Sequence, residues 1–243
     1  MHIIKLDATD STNSYLRALS SNNTLADYTT VTAKHQTHGR GQRGTSWQSE
    51  TDKNLMFSVF KNVSFLGFQD NFFISIVTSL ALIKTLQQFL IPKLSIKWPN
   101  DILSEDKKIC GILIENTVKQ NAFGGTIIGI GLNVNQIQFK NLPNATSLQL
   151  IAGTHLNTDE LLLSIITNLK FYFNQLKTNQ HKLLKENYES YLFRKNKPST
   201  FKGQAGNLFT GYIQGVTNLG NLRVLLEDEI IAEYELKEVT LLY

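Results

Sequence analysis

The chain has 243 residues, 42% of them hydrophobic and 10% aromatic, enough to bury a sizeable core, and no low-complexity or densely charged block argues for disorder. Lys and Arg number 24 against 20 Asp and Glu, a formal net charge of +4 spread along the whole sequence, which argues against a nucleic-acid or membrane-surface protein. The single cysteine, Cys110, excludes an internal disulfide, the start carries no apolar leader, and no apolar run reaches the length of about 20 residues that spans a bilayer; a cytoplasmic protein with no membrane partner is expected.

Residues 2–7 read as a strand, and Ser11, Thr12 and Asn13 supply N-cap chemistry for a helix with Tyr15, Leu16 and Leu19 on one face. Residues 29–34 are β-branched and strand-like. Residues 36–46 hold Gly39, Gly41 and Gly44 without apolar periodicity and read as a flexible loop. A buried strand follows at 55–60, then a long helix over 70–90 with Phe73, Ile76, Val77, Leu80 and Leu86 at helical spacing, ended by Pro92. Residues 95–98, 109–115 and 126–133 are three further strands of what becomes a mixed sheet.

Thr158 is placed to cap a helix with Asp159 and Glu160 in its first turn and an apolar stripe from Leu162 through Ile165, Ile166, Leu169 and Phe173 to Leu176; a second helix covers 181–192. From residue 194 the pattern changes to short alternating segments with turns at Gly203, Gly206, 218–221 and 227–228. The expected fold class is α+β: a mixed β-sheet flanked by helices over 1–194, then a small β domain over 195–243. That second unit is too short to bury much core alone, so it is expected to pack against the first.

The run Gly39-Arg40-Gly41-Gln42-Arg43-Gly44-Thr45-Ser46-Trp47 has glycines that admit close backbone approach and arginines that can fork onto phosphate or carboxylate. It is neither a Walker loop nor a Rossmann fingerprint, and alone it reads as a phosphate clamp or a solvated basic turn. Lys97-Trp98-Pro99-Asn100-Asp101 makes a rigid corner presenting an amide and a carboxylate, suited to adenine or a metal or simply to a turn. His35 and His38 lack companion ligands and read as loop histidines, and Cys110 reads as a small buried hydrophobe.

Taken in order, Asp10-Ser11-Thr12-Asn13, the 39–47 loop, 97–101, the stretch from Lys108 to Glu115 and Gly129-Ile130-Gly131-Leu132-Asn133 resemble the catalytic domain of the biotin protein ligases. The resemblance covers about residues 3–135; beyond them the C-terminal β unit matches in position and size more than in motif. It implies a class II synthetase-like mixed sheet with a small SH3-like β-barrel after it, and an enzyme that forms biotinyl-5′-AMP from biotin and ATP with Mg2+. The biotin then passes to a lysine of a biotin carboxyl carrier protein domain of a biotin-dependent carboxylase.

By the same resemblance Ser11, Thr12, Asn13, Gln36, Gly39, Arg40, Lys108 and Gly111 would contact biotin, with Lys108 and Arg40 catalytic. Arg43, Trp47, Asn100, Asp101 and Asn133 would serve the nucleotide, and Asp101 would also support magnesium. Gln42 departs from the arginine that some family members carry there. A lipoate or octanoate ligase of the same fold is the nearest rival, but its arginine-arginine-glycine run and histidine-aspartate pair are missing. A non-catalytic nucleic-acid binder is the rival of another class. Motifs that begin at Asp10 leave no room ahead of them for a DNA-binding domain, so no DNA partner is expected, and the protein is expected to be a monomer or homodimer.

Overall fold

Seven strands form a mixed sheet on which every candidate site residue depends. In this computed structural model β1 (Ile3–Thr9) runs parallel to β2 (Thr30–Gln36). All other neighbours are antiparallel, through β3 (Leu55–Asn62), β7 (Ala122–Leu132), β6 (Lys107–Lys119) and β5 (Asp101–Ser104) to β4 (Leu94–Lys97). The structure describes residues 2–119, 122–140 and 142–243, except the side chains of residues 43, 118, 119, 122 and 123.

Alternation along the strands decides what each face does. Leu55, Phe57 and Val59 of β3, Cys110 and Ile112 of β6, and Ile128, Ile130 and Leu132 of β7 point to one face. There they share a core with Phe73, Ile76, Val77 and Leu80 of α2 (Phe72–Gln88) and with Ile165, Leu169 and Phe173 of α4 (Thr158–Lys177). The intervening residues Ser58, Gly111, Gly129 and Gly131 face the other way. On that side Leu16 of α1 (Thr12–Asn22) packs on Val31 and Ile127 and leaves the remainder of the face to a cavity. Helices α3 (Leu148–Ala152) and α5 (His181–Ser190) complete the first unit.

Some sequence expectations shift. Ser11 does occupy the N-cap of α1, but its side chain caps nothing, and on the expected face Leu16 is fully buried whereas Tyr15 is exposed. The segment 36–46 read as a flexible loop closes on itself: Trp47 N donates to Gly39 O at 2.9 Å, Gly41 N to Thr45 O at 2.7 Å, and a short 3-10 turn at Gln42–Gly44 carries the bend at Gly44, whose φ of 85° suits glycine. Strand β5 escaped the sequence reading because its first residue, Asp101, belongs to what reads as a turn. Asn157, not Thr158, caps α4, its side chain accepting from Asp159 N at 2.9 Å and Glu160 N at 3.3 Å. Asn157→Ala is expected to cost about 1 kcal/mol, which lowers Tm by about 2–4 °C in a protein of this size; a thermal melt superimposable on the parent's would contradict this.

The C-terminal strands β8 (Pro198–Gly203), β9 (Leu208–Val216), β10 (Leu222–Leu225), β11 (Ile231–Tyr234) and β12 (Val239–Leu242) form a five-stranded antiparallel sheet in the order β11-β10-β9-β8-β12. Its buried Phe201, Ile213, Val216, Leu222, Val224 and Val239 belong to the same hydrophobic cluster as the large sheet. Trp98 Nε1 donates to Gly220 O at 2.8 Å across the junction. Among the described residues no helix is long and apolar enough to cross a membrane.

Candidate active site

The cavity, of about 400 Å³, lies between the glycine-bearing face of the large sheet, the 39–47 hairpin and the C-terminal sheet. Ser11, Thr12, Asn13, Gln36, Arg40, Trp47, Asn100, Asp101, Lys108 and Gly111 all line it, so ten sequence-selected residues from five separate segments converge. Gln42 lines it as well, whereas Gly39 lies on an open groove at the outer side of the hairpin. The side chain of Arg43 lies outside the described residues.

One end is polar, with the Arg40 guanidinium at its edge on Glu115. The Thr12 main-chain N–H and hydroxyl both donate to Gln36 Oε1, at 2.8 and 3.1 Å. The fully buried Ser58 hydroxyl lies 2.8 Å from Thr12 Oγ1 and 2.5 Å from Asn13 Oδ1. Asn13 Nδ2 in turn donates to Glu115 Oε2 at 2.8 Å. A carboxylate only accepts, so this contact fixes which way the Asn13 amide points. Ser58 does not stand out in the sequence and Glu115 closes the Lys108-to-Glu115 stretch without a role; what could have revealed both is their phase, since each shares the strand face of the neighbouring glycines.

The other end is charged. Lys108 Nζ sits 2.7 Å from Asp101 Oδ1, an ion pair that gives this carboxylate oxygen its cation. The Lys108 main chain is held by Asn144 O at 2.7 Å and by Thr146 N, which donates to Lys108 O at 3.0 Å. Asn133 does not line the cavity. It is buried, and its Nδ2 donates to Thr146 O at 3.0 Å, bracing the segment that grips Lys108. Asn100 Nδ2 donates to Ile112 O at 2.9 Å, which fastens the 97–101 corner to β6. Lys97 Nζ donates to Tyr243 OH at 3.2 Å and lies 4.4 Å from the ring centroid, tying the same corner to the C-terminal sheet.

Trp47 spans the two ends. Gly111 and Gly131 are cross-strand partners on β6 and β7, and a Cβ on either would meet the indole, so the pair makes a flat floor for the ring. The Lys108 ammonium stands 5.7 Å from the ring centroid on the same floor, and the buried indole Nε1 has no hydrogen-bond partner among the described residues.

Burial pushes the Cys110 thiol well up from its usual range, Lys108 opposing and Asp101 reinforcing, so Cys110 is the inert hydrophobe expected. His35 and His38 approach the Thr51 and Thr37 hydroxyls at 3.2 and 3.1 Å, and among the described residues no cluster of three potential metal ligands exists.

The mixed sheet thus brings the polar groups of Thr12, Asn13 and Gln36 and the cations of Arg40 and Lys108 to one cavity. Residues 6–133 match the Biotin/lipoate A/B protein ligase family, and the chain belongs to it. It is 30% identical over 195 residues to the bifunctional ligase/repressor BirA of Bacillus subtilis (strain 168), covering 78% of this chain and 59% of that protein. It is 34% identical over 143 residues to the biotin--[acetyl-CoA-carboxylase] ligase of Mycobacterium tuberculosis, covering 58% of this chain and 52% of that one. The chain thus spans between half and three fifths of the length of these curated relatives. Among solved structures, the biotin protein ligase from Aquifex aeolicus in complex with biotin and ATP matches with a TM-score of 0.81 at 27% identity, over 99% of this chain and 98% of that chain.

Proposed function

We propose that this protein is an ATP-dependent biotin protein ligase that forms biotinyl-5′-AMP and transfers the biotinyl group to a lysine of a biotin carboxyl carrier domain. The observation that carries the reading is the two-ended cavity: Thr12, Asn13 and Gln36 offer donors and acceptors for an uncharged cyclic urea, and Arg40 and Lys108 offer cations for a carboxylate and a phosphate. A ligand without the urea would leave the polar end unpaired, which is how such a site discriminates.

In the first half-reaction a biotin carboxylate oxygen attacks the α-phosphorus of ATP, a new P–O bond forms, and the bond to the β-phosphate oxygen breaks to release pyrophosphate. Two anions must meet, so Lys108 and Arg40 serve by neutralising charge where it develops, and the walls serve by alignment. In the second, the carrier lysine amine attacks the carbonyl carbon and AMP leaves. Trp47 and Asn100 stand on the nucleotide side of this assignment, and Arg43 belongs to the hairpin that would close over the phosphate. Asn133 serves from behind, through the segment that holds Lys108.

Magnesium fits this site as an ion that arrives with the nucleotide. Asp101 is the one carboxylate among the described lining residues, and Mg2+ usually takes one or two carboxylates, completing its shell with phosphate and water. Its contribution there would be to neutralise phosphate charge. We assign the carrier, rather than DNA, as the macromolecular partner.

The decisive experiment incubates the protein with MgATP and a carrier domain, with biotin or lipoate. Pyrophosphate release with biotin alone, and one biotinyl addition on the carrier by mass spectrometry, is the expected result; release with lipoate and not biotin would replace this reading with the lipoate one. Gln42 gives a finer prediction. It lines the cavity as a neutral amide where an arginine could add charged hydrogen bonds, so Gln42→Arg is expected to slow adenylate dissociation about 5- to 30-fold, the worth of about 1–2 kcal/mol. Equal or faster release from the variant would show that this side chain does not face the phosphate.

A further inference from the structure

Asn13, at the start of α1, and Arg40, on the hairpin, are remote in sequence yet end on one carboxylate. Glu115 Oε2 accepts from Asn13 Nδ2 at 2.8 Å and from Arg40 Nη2 at 2.5 Å, while Oε1 accepts from Arg17 Nη2 at 2.5 Å. Glu115 does not line the cavity. Its side chain is 16% exposed and abuts the outer groove.

A carboxylate beside a site that must receive an anion repels its ligand unless it is neutralised. Here two guanidiniums share one carboxylate, so the cluster keeps a net positive charge. Among the described residues Arg40 uses one nitrogen on Glu115 and leaves the rest of its fork without a protein partner. Arg17 stands away from the cavity, so it can neutralise Glu115 whatever Arg40 binds.

We propose that Glu115 is a positioning residue for biotin recognition and that Arg17 is its permanent counter-ion. This rests on the ligase reading above. By holding the Asn13 amide in one orientation and the Arg40 guanidinium at one end, Glu115 sets the distance between the urea-binding and carboxylate-binding groups before ligand arrives. The energetic gain is preorganisation, and it falls on biotin and not on ATP.

The test measures biotin binding without nucleotide by calorimetry, the KM for ATP, and Tm. Glu115→Gln keeps the shape and loses the charge; its biotin Kd is expected to rise about tenfold, the scale of one charged hydrogen-bond set, while Tm stays within a few degrees and the KM for ATP within about twofold. Arg17→Gln, at a side chain 52% exposed and safe for folding, is expected to weaken biotin by several fold alone and to add nothing in the Glu115→Gln background. Equal rises in the biotin Kd and the KM for ATP, or additive effects of the two substitutions, would overturn the assignment. A parent that binds biotin beside a Glu115→Gln protein that binds it within twofold would overturn this inference alone, whereas a parent that takes up no biotin would overturn the ligase reading itself.

Discussion

Lys108→Ala is expected to slow pyrophosphate release about 10²- to 10³-fold, the usual worth of one donor aimed at developing charge. The fold should survive, because the Lys108 main chain is held by Asn144 and Thr146 and only the side chain reaches the cavity. The loss has a second part: truncation leaves Asp101 without its cation beside the place where a phosphate must sit. A single variant within about threefold of the parent would remove Lys108 from the reaction.

The second large effect is expected at Gly129. A Cβ there would run into the Asn13 side-chain amide, with Cγ at 2.9 Å and Nδ2 at 3.0 Å, and that amide cannot step aside because Ser58 and Glu115 hold both its ends. Overpacking of this kind costs about 1–3 kcal/mol. Because the displaced group is the proposed urea contact, Gly129→Ala is expected to weaken biotin binding by roughly 5- to 150-fold while circular dichroism stays that of the parent. Biotin affinity within twofold of the parent would mean that Asn13 does not touch the ring.

Much of the site is legible in the sequence because its residues sit in motifs whose chemistry is local. The glycine-rich run, the Lys97-Trp98-Pro99-Asn100-Asp101 corner and Lys108 all reach the cavity. The helix stripes of 70–90 and 158–177 are legible for the same reason, since period and length are properties of one segment. What escapes is relational. Ser58 and Glu115 are ordinary strand residues until β3, β7 and β6 are in register, when Ser58 faces Gly129 across one pair and Leu113 faces it across the next. The turn of Asn133 away from the cavity depends on the 144–146 segment, which no periodicity announces. The wall supplied by Leu236, Val239 and Leu241 lies roughly one to two hundred residues beyond the motifs it encloses, and nothing in a small β pattern says which neighbour it will cover.

That shared wall has a thermodynamic consequence. Because Phe201, Ile213, Leu222 and Val239 sit in one cluster with Ile96, Ile112 and Ile130, neither sheet keeps a closed core when the other unravels. Calorimetry should then record a single cooperative endotherm for the whole chain rather than two, and ligand should move all of it. With biotin and ATP present at about a hundred times a given Kd, mass action adds about 2.7 kcal/mol to global stability. Protease sites in β8 and β11, neither of which lines the cavity, should become as slow to cut as those in β6.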